Sequence, residues 1–162
     1  MALDRNNGEM WDYDMFNRRA CVIADGRLYT YEGNTGVVCF GPGPTKTTLN
    51  LSTEQVKAGE TILISGQILD QSPESSGNFG APCANEPVWL FYTPLGGTEV
   101  IDIATVNTGY AGDFYYEWTV PDDVQGMFSV VANYAGSDRY EASAGQVNFR
   151  LGEAELSTEA LL

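Results

Sequence analysis

The chain is predicted to be all-β: a two-sheet sandwich with an N-terminal β-meander or hairpin extension. Three observations predict it. Runs that alternate apolar and polar residues recur from Thr47 to Leu151, with turn residues between them. No helical period interrupts those runs. The most regular pair lies within Gly112 to Tyr140, where Phe114, Tyr116 and Trp118 share one face and Asp113, Tyr115 and Glu117 the other. After a Pro/Asp turn, Phe128, Val130, Ala132 and Tyr134 oppose Ser129, Val131 and Asn133, so the two runs read as inner strands packed through one aromatic face.

Residues 1–41 come first and carry two short repeats, Ala2 to Trp11 and Tyr29 to Phe40. Each places an acid (Asp4, Glu32) and a turn glycine (Gly8, Gly36) ahead of an apolar strand. Between them Asp25-Gly26 joins two β-prone runs, as a type I′ hairpin turn requires. Residues 42–46 follow as a Gly/Pro linker, which marks a domain boundary. The Asn50-Leu51-Ser52 tripeptide beyond it is an N-glycosylation sequon, with meaning only in a secreted chain.

Residues 47–151 form the expected sandwich, with strands near 47–52, 61–69, 87–93, 99–106, 113–120, 126–134 and 145–151. Residues 70–87 make a loop well beyond the usual connection length, and it contains Phe79 and Cys83. The last segment, 152–162, is an acidic tail, too short and too polar to anchor a membrane.

Composition narrows the function classes. The net charge is −14, from 8 basic and 22 acidic residues, which argues against nucleic acid, since phosphate binding draws on clustered Lys and Arg. Apolar runs fall far short of the roughly 20 residues that span a bilayer, and no apolar signal-peptide core opens the chain. A mature or excised piece, or a cytosolic chain, is expected on that ground. The chain has no His, so Ser-His and Cys-His nucleophiles are excluded and a zinc site is hard to complete. Prolines interrupt Gly41 to Lys46 where a phosphate loop needs free N–H groups. The chain is therefore expected not to be an enzyme. Three cysteines, Cys21, Cys39 and Cys83, leave at least one thiol free or paired between chains, and Cys21 and Cys39 are expected as buried small hydrophobes.

Two features point to partners. Calcium is the cofactor the acidic loops would take, with Asp122, Asp123 and Asp138 as oxygen ligands, although none has EF-hand spacing. The alternation also turns Trp89, Phe91 and Tyr115 outward if Val88, Leu90 and Tyr92 face the core; a one-residue shift would swap the faces. Outward aromatics need a cover, and the N-terminal hairpin, which carries Tyr29 and Tyr31, is the nearest candidate.

Two family resemblances follow from these residues. Ala2, Asp4, Gly8 and Trp11, then Thr30, Glu32, Thr35 and Gly36 with Cys39-Phe40 in place of Trp, resemble the closing blade of propellers built from pyrroloquinoline-quinone-type repeats. About 40 residues cannot close a ring, so the quinone of that family is not carried over. Ala58-Gly59-Glu60 with Ile62, Ile64, Gly66 and Ile68 resembles a bacterial or archaeal immunoglobulin-like surface domain. Gly112 to Trp118 and Gly126 to Tyr140 extend that match. The resemblance implies a non-catalytic, extracellular or cell-surface module. The unpaired edges of a 40-residue β segment without its own ring lead to the expectation that it associates with itself, as a homo-oligomer or filament built by strand addition through the N-terminal segment, or with another surface protein. The alternative expectation is a C-terminal spacer or carbohydrate-binding module of a larger secreted propeller protein, with Trp89 and Tyr115 stacking on a glycan.

Overall fold

A computed structural model describes residues 2–3, 10–11, 21–24, 27–32, 36–73, 77–122 and 126–151. The chain divides into two compact units, Met1–Gly41 and Pro42–Leu162. Among the described residues every regular element is a strand, and no helix is long and apolar enough to cross a membrane.

In the first unit, β1 (Ala2–Leu3) pairs with β2 (Met10–Trp11), and β3 (Cys21–Ala24), β4 (Arg27–Glu32) and β5 (Gly36–Phe40) form an antiparallel three-stranded meander. The meander buries little. Val22 and Ile23 are 58% and 74% exposed, and Val37 is 72% exposed. Neighbours in a strand point to opposite faces, so the β3 edge of this sheet presents apolar side chains on both of them. The Asp25-Gly26 turn, the second repeat's Thr35 and the first repeat's Asp4 and Gly8 lie outside the described residues, as do the side chains of Cys21 and Cys39.

Among the described residues the second unit is a sandwich of eight strands. One sheet has the order β11 (Asp113–Thr119), β8 (Thr61–Asp70), β6 (Thr45–Leu51); the other has β10 (Ile101–Asn107), β9 (Pro87–Pro94), β12 (Gly126–Tyr134), β13 (Ser143–Leu151), β7 (Gln55–Val56). Consecutive strands are shared between the two sheets so that β8, β11 and β6 face β9, β12 and β13, an immunoglobulin-like arrangement. The strand after β6 was not expected. At residues 52–54 the chain leaves the first sheet, and β7 joins the second, parallel to β13 through Arg150 with Gln55 and Leu151 with Val56.

The core forms where the alternation predicts it. Ile62, Ile64 and Ile68 from β8, Val88, Leu90 and Tyr92 from β9, Phe114 and Trp118 from β11, and Phe128, Val130, Ala132 and Tyr134 from β12 are buried. At one end Trp118 lies 5.1 Å from Tyr92 and 5.6 Å from Phe149, ring centre to ring centre, and Phe128 closes the aromatic cluster at 5.6 Å from Tyr92. Such tilted and edge-on pairs add specific geometry to area burial.

Two expectations change. Residues 42–46 are not a free linker: Gly43 donates its N–H to Arg139 O at 2.9 Å and accepts from Glu141 N at 2.7 Å, and β6 already begins at Thr45. The long loop is likewise tied down at its far half, where Pro82 bridges to Leu69 and Cys83 N donates to Ile68 O at 3.1 Å. Cys83, as expected a loop residue, is thereby fully buried, its free thiol packed in the core.

Candidate binding surfaces

The two lateral sides of the sandwich differ. On one side β6 and β13 are stitched by hydroxyls: Thr45 Oγ1 donates to Ser143 Oγ at 2.7 Å, Thr47 and Ser143 share a second 2.7 Å bond, and β7 adds its parallel pair. On the other side the sheets end at β10 and β11. The edge of β10 is interrupted by a bulge between Asp102 and Ala104, a device that blunts pairing. Strand β11 is different. Its seven residues pair with β8 without a break, from Asp113 with Gln67 to Thr119 with Thr61, and among the described residues no strand lies on its other side. Such an edge presents a row of backbone donors and acceptors to a further strand.

On the outer face of the five-stranded sheet Trp89 and Phe91 do point away from the core. Their rings lie 4.4 Å apart, and Trp89 Nε1 donates to Asp102 Oδ1 at 3.0 Å. Val131 stands across from Phe91 on β12, so the three make a small apolar patch. Tyr115 also faces outward but on the other sheet, so the structure does not bring it together with Trp89.

Tyr115 sits instead among polar groups. Registration places Thr48, Gln67 and Asp113 in one rung across β6, β8 and β11, and Asn50, Ser65 and Tyr115 in the next. Together with Gly66 these side chains line a shallow, open depression of about 290 Å³. Tyr115 is 61% exposed, and its hydrogen bond to the Asp113 carboxylate, followed by the charge of that carboxylate, raises the phenol above its ordinary range. Gln67 Nε2 donates to Ala111 O at 2.8 Å and Thr48 Oγ1 to Gln67 O at 3.2 Å. Sequence reasoning named Tyr115 as a contact residue here, and Asn50 only as part of a glycosylation sequon. The polar alternation of Thr48 and Asn50 and of Ser65 and Gln67 was visible, but their alignment depends on the strand register.

The loop end of the sandwich holds a partly buried polar network. Tyr134 donates its hydroxyl to Glu86 Oε2 at 2.9 Å and accepts from the Ser137 hydroxyl at 3.1 Å, while Thr108 Oγ1 donates to Cys83 O at 2.6 Å and accepts from Glu86 N at 2.9 Å. Burial pushes the Tyr134 phenol up to about 12, the Ser137 bond opposing and Glu86 reinforcing it. Burial, then the charges of Asp70 and Glu86, pushes the Cys83 thiol up to about 11.

Of the proposed calcium ligands, Asp122 and Asp138 lie at opposite ends of β12, a strand of nine residues whose ends are roughly 26 Å apart at about 3.3 Å per residue. Asp123 lies outside the described residues, and among those described no group of three or more acidic, Cys or His side chains is placed to hold a metal ion. Tyr29 and Tyr31 both lie on β4, the central strand of the N-terminal meander, with Tyr31 49% exposed.

No family model matches the chain, and no curated protein matches it. Its similarities among solved structures are distant. The chain is similar to an Escherichia coli α2-macroglobulin at 15% identity and a TM-score of 0.47, over 79% of this chain and 8% of that one. It is similar to the sporulation control protein Spo0M of Bacillus subtilis at 11% identity and 0.45, over 69% and 51%. The CARDB domain of the PF1109 protein of Pyrococcus furiosus is similar at 12% identity and 0.41, over 70% and 90%. The chain thus spans about half of Spo0M and a small fraction of the macroglobulin. The fold assignment rests on the strand order and register above.

Proposed function

We propose that the chain is a non-catalytic structural or interaction module of the cell exterior that self-associates by strand addition, the N-terminal meander of one copy pairing with the β11 edge of another. The observation that carries the reading is the exposure of Val22, Ile23 and Val37 on a three-stranded sheet. A sheet that small, apolar on its outside, is marginal in water without a further partner. The unbroken β11 edge supplies a complementary acceptor, and backbone pairing needs no particular side-chain match. The pronounced negative charge keeps isolated copies soluble.

The test compares the full chain with residues 42–162 by light scattering after size exclusion, backed by negative-stain microscopy. The full chain assembles into oligomers or fibres, and the shortened chain is a monomer. Equal assembly by the two, or a monomeric full chain at high concentration, removes the proposal.

A further inference from the structure

We infer that the outer face of the β6-β8-β11 sheet is a binding site for a neutral saccharide, centred on Tyr115. The site differs from the β11 edge in what it uses, side chains normal to the sheet rather than backbone groups in its plane.

Its shape follows from the register. Neighbouring strands lie roughly 4.8 Å apart and alternate residues roughly 6.7 Å apart along a strand. Thr48, Gln67, Asp113, Asn50, Ser65 and Tyr115 therefore frame a patch of about 10 by 7 Å, the footprint of one to two pyranose rings. Ser65, the smallest of the six side chains, stands between Asn50 and Tyr115 and leaves the second rung recessed at its centre. A ring lowered there has the exposed Tyr115 aromatic face beside its C–H surface and hydrogen-bonding groups around its rim.

The chemistry selects a polyol. The rim offers hydroxyls from Thr48 and Ser65, amides from Asn50 and Gln67, and one carboxylate, Asp113. Sugar hydroxyls donate and accept at once, and this mixed set answers both needs. Among the described residues the Asn50 and Ser65 side chains have no hydrogen bond within the protein, so they are available to a ligand. The other groups are held in place: Tyr115 by Asp113, Gln67 by the Ala111 carbonyl, Thr48 by the Gln67 carbonyl. Pre-positioned groups lower the ordering cost of binding. Charge decides against anionic ligands, because the single charged group of the site is Asp113 and the whole chain carries −14.

The test is native affinity electrophoresis of the full chain in gels containing dextran, glucomannan, xyloglucan or mixed-linkage β-glucan, with polygalacturonate as the anionic control. At least one neutral polymer retards the chain and polygalacturonate does not. Tyr115→Ala, at an exposed position, weakens the retardation by about tenfold, the loss of one aromatic contact, and Ser65→Leu abolishes it by filling the recess. Trp89→Ala, on the opposite sheet, leaves it unchanged. Indifference to all four neutral polymers, retention of binding by Tyr115→Ala, or loss on Trp89→Ala would each overturn the assignment.

Discussion

The ring of Phe114 lies over Gly66, its direct partner across β11 and β8. Gly66 faces the interior between Ile64 and Ile68, where a larger side chain would be expected, and the aromatic ring takes the space that chain would fill. A Cβ at position 66 would run into both the Phe114 ring and the Thr48 carbonyl. Gly66→Ala is therefore overpacked, with backbone on one side and a core ring on the other, and costs about 1–3 kcal/mol. The urea midpoint falls with an unchanged slope. An unaltered midpoint would mean that the ring has room to move.

Ser129 offers the opposite case. Its side chain belongs to the outer face by alternation, yet it is buried between its neighbours, and its Oγ has no hydrogen-bond partner among the described residues. An unpaired buried hydroxyl costs about 1–3 kcal/mol. Ser129→Ala removes the hydroxyl and keeps the Cβ, so the variant is more stable than the parent in thermal and urea unfolding. A destabilised variant would show that the hydroxyl is satisfied in solution.

Stability should fall steeply in alkali. Cys83 ionises at 9.0 when exposed and at about 11 in the fold, and Tyr134 at 10.0 and about 12. Both are neutral in either state below those lower values, so their contribution is intact there. As pH rises, the unfolded chain loses each proton first, and stability drains away between 9 and 11 for Cys83 and between 10 and 12 for Tyr134. Burial of Tyr140 acts in the same direction. Urea midpoints measured across this range fall, and Tyr134→Phe removes the upper part of the fall. A flat profile would refute the burial of both groups.

Cys83 should also be chemically silent. The thiolate is the reactive form, and both burial and the raised ionisation disfavour it. In a Cys21→Ser, Cys39→Ser background, alkylation of the remaining thiol proceeds at the rate of unfolding, not at that of a free thiol. Rapid labelling under native conditions would contradict the buried position.

Much of the sandwich was legible because its strands are half-buried and alternate strictly. The outward direction of Trp89 and Phe91 follows from Val88, Leu90 and Tyr92 alone, and the structure agrees. What alternation cannot supply is register between distant strands, so the grouping of Asn50, Ser65 and Tyr115 was invisible although each residue was in plain view. The same limit hid the separation of Tyr115 from Trp89, which lie on different sheets. Strand β7 escaped because two residues carry no period, and the burial of Cys83 escaped because nothing in APCANEP shows that this loop docks its backbone on Ile68. The grouping of Asp122 and Asp138 assumed that their two loops meet, whereas β12 runs between them.

The crossing of the chain from β6 to β7 bears on how the module responds to pulling. Because β7 runs parallel to β13, tension drawing the chain apart from the start of β7 and the end of β13 loads that pair along its length. The Arg150 N to Glu54 O bond at 2.9 Å lies beside it, while the Thr45, Thr47 and Ser143 hydroxyl contacts stand at the opposite end of β13. The backbone links of the β7 pair share the load in shear instead of opening one after another like a zip. A row of such units strung between anchored ends would resist stretching until several bonds failed together, then yield abruptly.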